Sequence, residues 1–148
     1  MNFPASSLGA IALLLCTAGA AQAQEAMTLS DLESKNPRRL TRDELQQMVP
    51  EAKVTRHNSR TGNTAKWTNT PGGKMYASSD NRMTGLGISK PTPGTWNISD
   101  AGQWCVTIQW RVLPPEDWCA QMFQTSDGVY AAYSAGPEAK VQKYELVK

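Results

Sequence analysis

Nucleophilic catalysis needs a Ser, Cys or Lys activated by a neighbouring base. The chain has one histidine, His57. It sits in the polar run 56–63, and no serine stands in a Gly-x-Ser-x-Gly setting. An exposed loop or strand-end histidine accounts for it. Paired carboxylates can act as acid and base in glycan cleavage, and the chain offers Asp43-Glu44 and Glu116-Asp117. The first pair suits a helix N-terminus, where negative charge meets the macrodipole. The second falls in a Pro-rich hairpin loop, where charge is ordinary. No clustered His/Asp/Glu set and no calcium-loop pattern is present. The expectation is therefore no catalytic residue, no metal ligand and no cofactor.

Two other groups of residues can bind without reacting. Five tryptophans, Trp67, Trp96, Trp104, Trp110 and Trp118, all fall in segments with strand character. With Tyr76, Tyr130 and Tyr133 they could line the mouth or interior of a barrel and hold an apolar or sugar ligand. They could equally fill the core, because Phe is scarce. The second group is basic. Lys35, Arg38, Arg39, Arg42, Lys53, Arg56, Arg60 and Lys66 are set against only Asp43, Glu44 and Glu51 in the same stretch. Arg38, Arg39, Arg42, Arg56 and Arg60 are the candidate contacts for an anionic envelope component or an acidic protein surface. A solvated helix and loop is the plainer account of the same charges.

The elements that must carry these residues begin after residue 23. Residues 8–21 form an uncharged apolar run ending at Ala21-Gln22-Ala23, the small-residue spacing of a signal peptidase site. Residues 1–23 read as a cleavable signal peptide, too short to span a bilayer comfortably, which takes about 20 apolar residues. Removing them also removes Cys16 and leaves about 125 residues, enough for one domain. The net charge of +2 is too small to favour nucleic acid as a partner.

The two remaining cysteines, Cys105 and Cys119, read as one disulfide in an oxidising compartment. An antiparallel hairpin pairing them also sets Val106 against Trp118 and Trp104 against Ala120. That register puts Trp104, Val106, Ile108, Trp110, Trp118 and Met122 on one face. Residues 24–50 form a helical segment. Ser30 and Glu33 fit one capping box, and Thr41 and Glu44 a second, with Leu40 and Leu45 as a hydrophobic staple. The apolar stripe of the second helix is narrow, which suits packing on the edge or open end of something larger. Residues 51–148 form a β-rich domain. Strands are expected at 52–56, 64–68, 74–78, 94–98, 103–111, 118–124, 129–134 and 141–147, with turn chemistry between them. The fold class is mainly β with one or two short N-terminal helices, an antiparallel meander forming a small barrel or curved sheet.

Gly94-Thr95-Trp96-Asn97-Ile98-Ser99-Asp100 with Gly102, then Trp104-Cys105 and Trp118-Cys119, resemble the C-terminal half of a family of small exported bacterial proteins, domain of unknown function 995. The segment from Leu40 to Leu45 resembles that family's start. The resemblance implies a bacterial envelope location and carries no established activity. Together these features point to an exported periplasmic or secreted accessory protein that binds a protein partner or envelope component. An aromatic-lined carrier of a lipid or glycan is the alternative, and a hydrolase stands third.

Overall fold

The computed structural model describes residues 26–58, 61–81 and 85–148. The signal-peptide reading of residues 1–23, and Arg60, lie outside them. The elements in chain order are α1 (Leu29–Glu33), β1 (Arg38–Arg39), α2 (Arg42–Met48), β2 (Lys53–His57), β3 (Thr64–Thr70), β4 (Lys74–Ser79), β5 (Thr92–Ile98), β6 (Trp104–Ile108), β7 (Glu116–Thr125), β8 (Gly128–Ala132) and β9 (Val141–Val147).

Strands β2 to β9 run as an up-and-down antiparallel meander. β9 pairs back onto β2, and β8 pairs with both β9 and β7, which closes an eight-stranded barrel. Closure removes most of the free edges that an open sheet would leave. The expected hairpin is present in register: Cys105 faces Cys119, Val106 faces Trp118 and Trp104 faces Ala120, and Cys105 and Cys119 form the disulfide.

Alternation decides which side chains point inward. Along β6, Trp104, Val106 and Ile108 are buried while Cys105 and Thr107 are only partly covered. The same period puts Val54 and Arg56 inside from β2, and Trp67 and Asn69 inside from β3. Gly94 on β5 lets its neighbours come close. A Cβ there would lie 2.7 Å from the Thr107 carbonyl and 2.9 Å from Met75 Cε, so only glycine fits.

The two helices do different work. Helix α2 begins at the expected capping box, where Thr41 accepts from the Glu44 amide and Glu44 accepts from the Thr41 amide. Its staple residues Leu40 and Leu45, with Val49, join the barrel core. The helix therefore plugs one end of the barrel. Asn69 fastens the plug, donating to the Val49 carbonyl at 3.0 Å and accepting from Trp67 Nε1 at 3.1 Å. Helix α1 lies on the outer wall instead, with Leu32 packed beside Tyr130, Ala132 and Val141 in a second, smaller apolar cluster. Its capping box is Thr28 with Asp31, two residues earlier than the Ser30–Glu33 spacing suggests. Thr28 already pairs with Lys140, so tertiary contact fixes where the helix starts.

Candidate binding site at the open end of the barrel

The end opposite α2 has no helix over it among the described residues. It is rimmed by the β2–β3, β4–β5, β6–β7 and β8–β9 connections. Below the rim, Arg56 of β2 reaches across the barrel to Glu116 of β7 in a two-pronged pair, Nη1 to Oε2 at 2.5 Å and Nη2 to Oε1 at 2.8 Å. Two indoles donate to the same carboxylate, Trp110 Nε1 at 2.8 Å and Trp118 Nε1 at 3.3 Å. The Arg56 side chain is only 10% exposed, and its guanidinium lies 5.9 Å from the centre of the Trp67 ring. Burial disfavours charge on both partners, yet the paired hydrogen bonds outweigh it. Arg56 is held above and Glu116 below its ordinary pKa. The clasp is thus a fully ionised, four-bonded unit rather than a reactive group.

Beside it, the Tyr133 and Tyr144 hydroxyls lie 2.5 Å apart, and Tyr133 also donates to Gln142 Oε1 at 3.2 Å. Burial raises the pKa of both phenols, that of Tyr144 well above its usual value. Over this floor opens a cleft of about 430 Å³, lined by Arg56, Trp110, Leu113, Trp118, Tyr133 and Gln142 among others. The connections at this end also expose large apolar side chains, of which Ile88 lines a recess on the outer wall with Thr55, His57, Lys66 and Glu145. Leu86 and Ile88 in the β4–β5 connection are 66% and 81% exposed, and Val112 in the β6–β7 connection is 57% exposed.

The structure separates the expected binding residues into groups. Trp110 and Trp118 meet at the cleft. Trp67 and Trp104 lie in the middle of the barrel, where they pack with Tyr144 at centroid distances of 5.6 to 6.2 Å. Those rings fill the interior, so a ligand has the mouth and not the middle. Trp96 sits at the plugged end, donating to the carbonyls of Thr70 and Lys74 at 3.2 Å each. The arginines divide likewise. Arg38, Arg39 and Arg42 stay together near α2, where Arg38 pairs with Glu44 at 2.5 Å and Arg42 with Asp100 at 3.0 Å. Arg56 stands apart from them, inside the opposite end.

His57 is exposed on the outer wall, with Nδ1 3.1 Å from Thr64 Oγ1 and Nε2 3.8 Å from Glu145. Among the described residues, no group of three or more His, Cys, Asp or Glu is placed to hold a metal, and no helix is long and apolar enough to cross a membrane. Glu116, expected in a hairpin loop, instead opens strand β7. The signal was present, since Glu116 shares the even-numbered inward face of Trp118, Ala120 and Met122. Tyr144, on the inward face of β9, was also missed. No family model, no curated protein and no solved structure matches the chain, so only its own geometry bears on what it does.

Proposed function

We propose that the protein is an exported accessory protein of the bacterial envelope that binds a protein partner at the open end of its barrel, without catalysis. The observation that carries this is the exposure of Leu86, Ile88 and Val112 on the connections at the open end, the end whose cleft has the Arg56–Glu116 clasp in its floor. Exposed large apolar side chains on successive connections at one end fit an interaction surface. A rigid floor lowers the ordering cost of binding there. The basic segment supplies less than its charge suggests, because Lys35, Arg38, Arg42 and Arg56 are already paired, which leaves Arg39, Lys53 and Lys66 without an ion pair among the described residues. The disulfide and the resemblance to an exported family support a periplasmic or secreted location.

A second reading, a small lipid or glycan held at the mouth, is favoured by the volume of the cleft and by the rings of Trp118 and Tyr133 in its wall. Native and denaturing mass spectrometry of protein captured from the periplasm distinguishes the two. The wild type should carry a discrete protein mass that the Ile88→Asp/Val112→Asp double variant lacks. A small mass shed on denaturation would favour the carrier, and equal capture by wild type and variant would contradict both the rim and the cleft.

A further inference from the structure

Strand β7 is longer than either neighbour can cover. Residues 116–120 pair with β6 and residues 121–125 pair with β8. On the β8 side the ladder stops at the Gln121–Ala132 pair. From Tyr133 to Lys140 the chain runs instead to helix α1, where the Leu29 and Ser30 amides bond the Ala139 and Pro137 carbonyls. The barrel wall is therefore open between β7 and this connection, along residues 117–119.

The direction of the backbone groups in that gap follows from two observations. Cys105 and Cys119 have Cα atoms 4.0 Å apart, the close spacing of a non-hydrogen-bonded antiparallel pair, near 4.5 Å rather than about 5.5 Å. The N–H and C=O of Cys119 therefore point away from β6. Independently, the Leu40 amide donates to the Met122 carbonyl from the β1 side, so even-numbered residues of β7 face β6 and β1 and odd-numbered ones face β8. Asp117 and Cys119 thus aim their amides and carbonyls into the gap. Both residues are exposed, and neither backbone has a partner on that side among the described residues.

The gap has a recess on each side. Inward lies the mouth cleft, with Trp118 and Glu116 in its wall. Outward lies a groove of about 340 Å³ that includes Leu29, Arg39, Gln121 and Phe123. Tyr133 borders both. An extended chain laid in the gap sends successive side chains to opposite faces, so one residue enters the cleft while its neighbours enter the groove.

We propose that an extended segment of a partner protein adds to the β7 edge at Asp117 and Cys119, placing one bulky apolar side chain in the mouth cleft beside Trp118. This deepens the protein-binding reading and rests on it. Main-chain bonds supply affinity in such strand addition, and the alternating pockets supply selectivity. The edge is short and carries the Asp117 charge, features that discourage indiscriminate sheet-to-sheet pairing and so disfavour a second copy of this chain as the occupant.

The test uses the mature, disulfide-bonded protein and a phage-displayed library of random linear peptides. In the free protein, hydrogen exchange should be fast at the Asp117 and Cys119 amides and slow at Trp118 and Ala120. Selected peptides should shift and protect the Asp117 and Cys119 amides in NMR spectra. N-methylating alternate peptide amides should weaken them at least tenfold, as should Asp117→Pro, which removes an outward amide and no β6 ladder bond. Protection of the two amides in the free protein, an empty selection, or binders that leave them unshifted would each overturn the proposal. If Asp117→Pro still captures the periplasmic partner that Ile88→Asp/Val112→Asp loses, strand addition fails while binding at the open end stands.

Discussion

At one end of the barrel, Leu40, Leu45 and Val49 enter the core from the α2 segment, and Val147 is the large apolar side chain left exposed beside them. At the other, the wall is held by a buried ion pair and two indole N–H groups, with apolar residues left exposed above them. The plugged end uses a capping box and a staple, which are local and cheap to specify. The open end uses Arg56 and Glu116, brought together from distant strands. Burying two charges costs several kcal/mol per ion before their attraction is counted, and replacing such a pair by apolar residues is often neutral or stabilising. A clasp of this kind is weak support for stability. It fits better as a fixed floor for binding.

The contrast can be broken most forcefully at the clasp. Glu116→Ala leaves Arg56 buried and unpaired, and should destabilise by about 3–5 kcal/mol in urea titrations. The Arg56→Met/Glu116→Leu double variant should recover most of that loss. If it does not, the clasp contributes net stability and the contrast between the ends narrows. At the plugged end, Leu45→Ala should cost about 3 kcal/mol through transfer and cavity terms, while leaving binding at the rim intact.

Acid should act on the clasp as well as on the cap carboxylate Glu44 of the plug, both held below their ordinary pKa. Glu116 has a folded pKa below the unfolded value of 4.5. Its contribution is complete above that value and is lost as pH falls through the folded pKa. The urea midpoint should decline below about pH 5, and Glu116→Gln should flatten that decline. An unchanged decline in the variant would assign the acid sensitivity elsewhere. The smallest effect belongs to Thr41→Ala, which removes the α2 cap at a cost of about 1 kcal/mol. A loss several times larger would mean that the plug is held by its cap more than by its core contacts.

How much of this was legible in the sequence follows from the range of each interaction. Strand alternation and turn residues are local, so all eight expected strands have counterparts, and the hairpin register follows once Cys105 is set against Cys119. The Thr41–Glu44 cap was legible for the same reason. Strand β1 was not: Arg38 and Arg39 are too few to show a period, and they are extended because β7 offers Phe123 and Gln124 for pairing. The sequence grouped the five tryptophans as one possible lining. The barrel divides them by depth, which no local pattern encodes. Likewise, Arg56 carries the same charge as Arg38 and Arg42, and only the inward phase of β2 sets it apart. The gap beside β7 depends on where β8 stops, a consequence of the contacts of α1 with the connection after Tyr133.

Site-specific photo-crosslinking in the native envelope tests the central claim most directly. A benzoylphenylalanine is placed at Ile88 or Val112 on the open rim, and at Gln47 or Asp100 near the plug. The account predicts one discrete protein adduct from each rim position and none from the plugged end. Adducts from Gln47 or Asp100 alone, or equally from both ends, would contradict it.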